Sequence, residues 1–331
     1  MTRKPILTIV AATVIAAVVA LVAIPALSAC SQGNSQRGDA NYRRELQNVH
    51  TIEYNGATYR PKTNLTTILL MGVDHASTAE EGLINRSGGQ ADFLRLVAID
   101  PTNKKVYQIA LDRDTMTPIT ILGVLGNRAG SRVERLSLSH AFGDGEHESC
   151  KLTVEAVSNL LYDTTINYYL ALDMDGISEL NDWLGGVTVT LEDDFSHIDP
   201  AMVAGETITL QGDQAEIFVR ERMSIGVGTN ESRMARQQLY LDEAQRLLRE
   251  RIAQDENASD NLFDTINFAL CTNLSKGTLA NVFSTAKDCE TEPVITPTGT
   301  HEFDAEGFMQ FFVDEDSLMD AIIRVFYEQV G

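Results

Sequence analysis

The feature that most constrains this chain is an uncharged run near its N-terminus, residues 5–29. A helix of roughly 20 apolar residues is long enough to cross the hydrocarbon core of a membrane. Arg3 and Lys4 precede the run, so the positive-inside rule keeps residues 1–4 in the cytoplasm and sends the rest of the chain outside. We therefore expect a domain that folds on the far side of a cell membrane.

Two modes of membrane attachment fit this run. Leu27-Ser-Ala-Cys30 resembles a bacterial lipobox, in which Cys30 would be the lipidated residue. The uncharged run is longer than the apolar core of a cleaved signal, about 7–15 residues, which favours an uncleaved signal anchor. In both cases the polar residues 30–45 indicate an extracytoplasmic linker, and residues 46–331 remain to form the folded domain.

The charge balance excludes one class of function. The chain has 26 Lys and Arg against 47 Asp and Glu, a net charge of −21. A protein that binds nucleic acid needs a surplus of cationic side chains to neutralise phosphates. We therefore expect no nucleic-acid partner, and any anionic ligand needs a local group of basic residues.

Apolar patterning predicts a single α/β domain. Short apolar runs at 66–71, 93–100 and 105–111 are typical of buried strands, and residues 51–60 predict a hairpin that turns at Asn55-Gly56. Strands are also expected at 167–172, 187–191 and 293–296. Helical spacing predicts helices at 150–161, 174–184, 212–222, 232–251, 262–270, 279–286 and 314–329. Strands interleaved with helices indicate a sheet covered by helices.

The four cysteines allow few disulfides. If Cys30 sits at the membrane, at most one bridge forms among Cys150, Cys271 and Cys289. Cys271 and Cys289 flank one predicted helical hairpin, so they are the expected pair, with free buried thiols as the alternative.

Three charged residues are expected at one edge of the sheet. If the first three long strands form an antiparallel meander, the end of the first, the start of the second and the end of the third lie together. Asp74, Asp92 and Arg113 occupy these positions. Two carboxylates and a guanidinium suit a hard cation such as Mg²⁺ together with a phosphate group. The alternative is that the acids are ordinary residues of strand ends.

A second basic group lies further along the chain. Arg220, Arg222, Arg233 and Arg236 fall within 17 residues of an otherwise acidic protein. Arg233 and Gln237 are four residues apart, so they share one face of a predicted helix. Arginine binds phosphate through two parallel hydrogen bonds and keeps its charge. The pattern predicts an anion site, with a solvated helix face as the alternative.

Together these motifs resemble the LytR-CpsA-Psr proteins. The resemblance rests on residues 72–74, 91–92, 113–115, 220–222 and 233–238, in that order behind a membrane segment, and it covers roughly residues 64–250. It implies an α/β sandwich fold with an apolar cavity for a prenyl tail. It also implies an extracytoplasmic phosphotransferase that moves a glycopolymer, such as teichoic acid, from a polyprenyl-pyrophosphate carrier to peptidoglycan.

The resemblance also implies roles for individual residues. Asp74 and Asp92 would hold Mg²⁺, the cofactor. The residues that would bind the pyrophosphate are Arg113, Arg220, Arg222 and Arg233, with Gln237 beside them. Asp92 or Asp114 would deprotonate the acceptor hydroxyl, and the alternative role of Asp114 is to orient Arg113.

This chain departs from the family pattern at several positions. Gln90 stands where an arginine usually precedes the second metal-binding aspartate, and Phe93 replaces the hydroxyl residue after it. Asn230 stands where an aspartate is common, and Arg86 in the preceding long loop is a candidate replacement for the missing charge. Two alternative functions follow: a lipid pyrophosphate hydrolase that uses water as acceptor, or a non-catalytic envelope protein that binds polyprenyl phosphates.

Overall fold

The computed structural model describes most of the domain. The described residues are 51–74, 88–123, 125–174, 176–221, 258–286 and 288–330, together with 236, 239, 240, 242–244, 246–248, 250, 251, 254 and 255. The predicted membrane segment, Cys30 and the linker lie outside this part of the chain. Among the described residues, no helix is long and apolar enough to cross a membrane.

The secondary structure alternates strands with helices. The strands are β1 (Ile52–Tyr54), β2 (Ala57–Pro61), β3 (Thr66–Asp74), β4 (Gln90–Asp100), β5 (Lys105–Leu111), β6 (Met116–Leu122), β7 (Arg128–Arg135), β8 (Tyr168–Asp173), β9 (Thr188–Thr190), β10 (Thr207–Thr209), β11 (Leu270–Thr272), β12 (Glu290–Thr291), β13 (Gly299–Phe303), β14 (Met309–Val313) and β15 (Tyr327–Gln329). The helices are α1 (Leu138–Ala141), α2 (His147–Leu160), α3 (Gly176–Leu184), α4 (Asp213–Arg220), α5 (Ala258–Ile266), α6 (Lys276–Ala286) and α7 (Glu315–Phe326).

A mixed six-stranded sheet forms the centre of the domain, in the order β11-β8-β3-β4-β5-β12. β3, β4 and β5 are antiparallel neighbours, so the predicted meander is confirmed. β8 lies parallel to β3 on the other side, and both strands run toward the same end of the sheet. The predicted α/β domain with a mixed sheet is therefore confirmed.

Both faces of this sheet are buried. On β3, Leu69 and Met71 face a core that includes α2 and α7, whereas Ile68 and Leu70 face a second core that includes α6. Because successive side chains of a strand point to opposite faces, a strand covered on both sides needs apolar residues at every position. This explains the continuous apolar run at residues 66–71.

A third core lies beyond the end of β8. It is built from α3, α4, α5, the β9–β10 hairpin and the helical residues between 236 and 248, with Tyr240 fully buried among them. Leu172 near the end of β8 belongs to this core. The helices of this core therefore pack next to the sheet end at which β3 and β8 terminate.

One predicted helix differs at its end. The predicted helix 314–329 is capped by Asp314, whose side chain accepts a hydrogen bond from the Ser317 amide, and it ends at Phe326. The last residues form β15, which pairs with β2 of the confirmed N-terminal hairpin. The edge of β2 offers backbone hydrogen-bond partners, and these favour a strand for the last residues. The helical pattern of the terminal residues does not reveal this.

The predicted Cys271–Cys289 disulfide is wrong. The two segments expected to form a helical hairpin are separated by β11, which carries Cys271 at one edge of the central sheet. Cys289 directly precedes β12, the strand at the opposite edge, and the structure has Cys150, Cys271 and Cys289 as free thiols. Instead, Cys271 lies near Cys150 on α2, and the two thiols interact electrostatically.

Candidate active site

The candidate site begins at a β-bulge on β4. Gly72 of β3 pairs with Phe93, but its neighbour Val73 pairs with Ala91, so Asp92 is the extra residue on β4. A bulge of this kind locally bends a strand and redirects side chains, and bulges are over-represented next to active sites. The bulge therefore places the Asp92 carboxylate at the end of the sheet.

Asp74 and Gln90 are paired across β3 and β4. Their chain neighbours Val73 and Ala91 face the core under α2. Because side chains alternate along a strand, Asp74 and Gln90 are directed to the opposite face, the side on which α6 packs. The structure therefore brings both predicted metal-binding carboxylates to one end of the sheet.

Arg113 lies in the turn after β5 and reaches back to this group. Its Nη1 forms an ion pair with Asp92 Oδ1, its Nη2 donates to Gln90 Oε1 at 3.1 Å, and its Nε donates to Asp114 Oδ1 at 3.4 Å. The Arg113 side chain retains 20% of its exposure and Asp92 17%. The guanidinium is therefore held in one orientation while it remains accessible to a ligand.

Gln90 is a site residue whose contact the sequence did not reveal. The family pattern places an arginine there, and this chain has an amide whose oxygen accepts a hydrogen bond from Arg113. A second guanidinium at this position would repel the Arg113 guanidinium, whereas the Gln90 amide oxygen accepts its hydrogen bond and orients it. The departure at residue 90 thus changes the local charge but supports the position of Arg113.

Asp114 has an unusual electrostatic environment. Burial raises the pKa of its carboxyl above the ordinary value, although the neighbouring Arg113 and Arg135 guanidiniums oppose the rise. Arg135 Nη1 lies 4.0 Å from Asp114 Oδ1, and its guanidinium also stacks on the Phe308 ring, 4.9 Å from the ring centroid. A carboxyl with a raised pKa is better suited to accept and return a proton than an ordinary surface aspartate.

The backbone around Arg113 is held by the segment that follows β7. The Ser137 amide donates to the Arg113 carbonyl at 2.9 Å, and the Ser137 carbonyl accepts from the Ala91 amide at 3.2 Å. Residue 137 therefore joins the turn that carries Arg113 to the bulged strand that carries Asp92. This link is tertiary, and no motif in the sequence indicates it.

The second predicted basic group is described only in part. Arg220 is the last residue of α4, while its side chain and all of Arg222, Arg233 and Gln237 lie outside the described residues, as do Arg86 and Asn230. Arg236 is described and is buried, with 5% exposure. Its contacts are Phe218 O at 3.1 Å, Asp193 Oδ2 at 2.7 Å, and Glu221 O.

These contacts assign Arg236 a structural role. Its guanidinium binds two carbonyls at the end of α4 and one carboxylate, which satisfies groups that a helix end leaves without intrahelical partners. Arg236 therefore holds the chain where it leaves α4, directly before Arg222, rather than presenting its own charge to a ligand.

The donor set suits a hard cation that also binds phosphate. Asp74 and Asp92 supply carboxylate oxygens from neighbouring strands at one end of the sheet. Within the described ranges, no group of three or more His, Cys, Asp or Glu residues is arranged to hold a metal. Mg²⁺ commonly takes one or two protein carboxylates and completes its coordination with water and substrate phosphates, so the residues present fit it.

The fold and the site define a class: a mixed α/β domain with an arginine and paired carboxylates at the end of its central sheet. The chain belongs to the LytR_cpsA_psr family, whose model matches residues 28–322. Among curated relatives, a protein of Bacillus cereus strain AH820 named polyisoprenyl-teichoic acid–peptidoglycan teichoic acid transferase TagU is 25% identical over 262 residues, which is 78% of this chain and 77% of TagU.

Solved structures have the same fold. Protein gbs0355 from Streptococcus agalactiae superposes with a TM-score of 0.57 and 24% identity, covering 79% of this chain and 86% of that one. B. subtilis TagV superposes with a TM-score of 0.53 and 23% identity, covering 80% and 96% respectively. At these identities the likeness establishes the fold and leaves the reaction to be argued from the site.

Proposed function

We propose that this protein is an extracytoplasmic, Mg²⁺-dependent phosphotransferase. It would transfer a glycopolymer from a polyprenyl-pyrophosphate carrier to a sugar hydroxyl of peptidoglycan. The observation that carries the proposal is Arg113 held between Asp92, Gln90 and Asp114 at the sheet end, beside Asp74. Membership of the family and its similarity to relatives named as transferases support the same reaction class.

The reaction requires a bond exchange at phosphorus. The acceptor hydroxyl oxygen attacks the phosphorus that carries the glycopolymer, the bond between the two phosphates breaks, and polyprenyl phosphate leaves. Such reactions ask the protein mainly to position the reactants and to stabilise charge. Arg113 is suited to bind the pyrophosphate oxygens, because its orientation is already determined by three neighbours before substrate arrives.

The remaining residues take supporting roles in this proposal. Asp74 and Asp92 would hold Mg²⁺, which would supply positive charge to neutralise the phosphates. Arg220, Arg222, Arg233 and Gln237 would bind the other side of the pyrophosphate. Asp114 would orient Arg113 or, with its raised pKa, accept the proton of the acceptor hydroxyl, a task for which Asp92 is the alternative.

We place this reaction outside the cell membrane. The uncharged residues 5–29, with Arg3 and Lys4 before them, would attach the protein to the membrane either as a signal anchor or through lipidation of Cys30. Attachment at the membrane surface would keep the site close to a carrier lipid that is itself embedded there.

The proposal is tested with purified protein, a lipid-pyrophosphate-linked oligosaccharide, Mg²⁺ and a peptidoglycan acceptor. We expect polyprenyl phosphate to be released only when acceptor is present, and release to stop when Mg²⁺ is chelated. Release in water without acceptor would instead identify a hydrolase. Absence of turnover, with polyprenyl phosphates bound to the purified protein, would identify a binding protein.

A further inference from the structure

The turn that carries Arg113 is shaped by Asp112. This side chain has 6% exposure, and its Oδ1 accepts a hydrogen bond from the Asp114 amide at 2.8 Å. The Asp112 carbonyl accepts from the amide and the hydroxyl of Thr115, at 3.1 and 2.7 Å. Aspartate side chains that bind the backbone two residues ahead stabilise tight turns in this way. The direction in which Arg113 leaves the sheet therefore depends on Asp112.

The second carboxylate oxygen of Asp112 is bound by a residue nearly two hundred positions away. His301 on β13 places its Nε2 at 2.8 Å from Asp112 Oδ2. The imidazole packs against the Phe311 ring with 4.5 Å between ring centroids, and its Nδ1 is buried without a hydrogen-bond partner. Because a carboxylate oxygen accepts hydrogen bonds, Nε2 is assigned as the donor, and among the described residues this is the hydrogen bond that the imidazole makes.

The same turn is bound by the backbone of the neighbouring strand. The Phe311 amide on β14 donates to the Asp114 carbonyl at 2.8 Å, and Thr115 forms a parallel bridge with Phe311. The β13–β14 hairpin thus contacts the turn twice: through the Phe311 backbone and through the His301 side chain. A hairpin from the C-terminal part of the chain therefore supports a site whose other described residues lie between 74 and 137.

We infer that His301 is a positioning residue for Arg113, acting through Asp112. By holding the Asp112 carboxylate, His301 keeps the turn in the conformation that directs Arg113 toward Asp92 and Gln90. The inference rests on the proposed function insofar as Arg113 binds a pyrophosphate. Displacements near 1 Å in such a site can cost about 100-fold in rate, so a contact remote from the ligand is able to control turnover.

Two substitutions separate the hydrogen bond from the shape of the ring. His301→Phe keeps an aromatic ring against Phe311 and removes the donor to Asp112. His301→Gln keeps a donor, because the amide nitrogen of glutamine reaches a position similar to Nε2. We expect His301→Phe to lower kcat/KM about 10–100-fold through both a lower kcat and a higher KM, and His301→Gln to recover most of the loss.

A readout independent of turnover uses inorganic pyrophosphate. We expect its affinity, measured by calorimetry with Mg²⁺, to fall about tenfold in His301→Phe and to recover in His301→Gln. The His301→Phe substitution should cost little further in an Asp112→Ala background, because the two residues act on the turn as a pair. His197, which is exposed, provides the matched control His197→Phe, expected to behave as the wild type.

The outcomes are distinct. Equal kcat and pyrophosphate affinity in wild type and His301→Phe would overturn the inference, as would a His301→Gln variant as impaired as His301→Phe. If the wild type binds pyrophosphate but has no transferase activity, the proposed function fails while the affinity series still decides the role of His301. If the wild type does not bind pyrophosphate, the inference fails too. Thermal unfolding of each variant identifies a loss caused by misfolding, and in that case the conservative His301→Gln variant decides.

Discussion

Replacement of Arg113 is the sharpest test of the candidate site. The guanidinium spans Asp92 and Gln90 through its two terminal nitrogens and reaches Asp114 through Nε. Alanine removes all of these contacts together with the charge that would face the pyrophosphate. Loss of one preorganised electrostatic donor costs about 10²–10³ in kcat, which corresponds to about 2.7–4 kcal/mol. We expect a loss of this size in Arg113→Ala.

Arg113→Lys separates charge from geometry. Lysine keeps one positive charge, but a single ammonium group does not reproduce the planar fork that reaches both Asp92 and Gln90. We expect Arg113→Lys to retain more activity than Arg113→Ala, by about tenfold, and to remain well below the wild type. An Arg113→Lys variant with wild-type turnover would mean that charge alone is sufficient at this position.

The effect on folding should be much smaller than the effect on catalysis. Arg113 and Asp92 retain 20% and 17% of their side-chain exposure, so solvent screens their ion pair, and its contribution to stability is about 1 kcal/mol or less. The control is Arg60→Ala, which removes a 2.7 Å ion pair with Glu328 on a side chain with 57% exposure, on a strand outside the central sheet. We expect this control to retain both activity and stability.

The assay is release of polyprenyl phosphate in the presence of acceptor, followed under single-turnover conditions so that chemistry is separated from product release. Thermal unfolding of the same samples measures stability. If Arg113→Ala turned over within threefold of the wild type while remaining folded, the assignment of this residue to the site would be refuted.

Three further predictions follow from buried groups. Because burial raises the pKa of Asp114, ionisation of this carboxyl lowers the stability of the folded state at neutral pH. Asp114→Asn should therefore require more urea to unfold than the wild type at pH 7. This gain should vanish near pH 3, where the wild-type carboxyl is protonated in both the folded and the unfolded state. The pKa of Arg95 is lowered by burial, its buried Nε has no hydrogen-bond partner among the described residues, and none of the described carboxylates forms an ion pair with it. Arg95→Met should therefore stabilise the fold by about 1–3 kcal/mol in denaturant titrations, and equal or lower stability would contradict this. Cys150 and Cys271 should form a disulfide when the protein is exposed to oxidised glutathione, which accepts the two electrons. Peptide mass mapping should find Cys289 unpaired, and a bridge to Cys289 would contradict the fold.

Much of the sheet could be predicted from local patterns. Residues 105–111 were expected as a strand and form β5 with the same bounds, because a short apolar run between turn residues has few other solutions. The Asn55-Gly56 turn was equally predictable, since both residues have positive φ, 48° and 76°, as a type I′ turn requires. The short run at 66–71 extends as β3 to Asp74, so the strand itself carries the first predicted metal ligand to the sheet end.

Contacts made at long range were not predictable in the same way. A predicted helical hairpin flanked by Cys271 and Cys289 favoured their pairing, but the six-stranded sheet places their segments at opposite edges. The sequence pattern also placed Arg236 in a basic group, whereas its burial and its carbonyl contacts make it a structural residue. Residue type and spacing did not reveal which elements distant in sequence the sheet and the cores bring together.

The sequence by itself determined the class of the domain, the antiparallel meander and the three charged residues that the meander brings to one edge, because strand periodicity and strand order act locally along the chain. Only the tertiary structure decided how that edge is arranged. The bulge at Asp92, the amide of Gln90 beside Arg113 and the support of the turn by His301 depend on strand register and on packing between distant segments. Register and packing are set by the whole fold, and for that reason the precise orientation of Arg113 could be read only from the assembled domain.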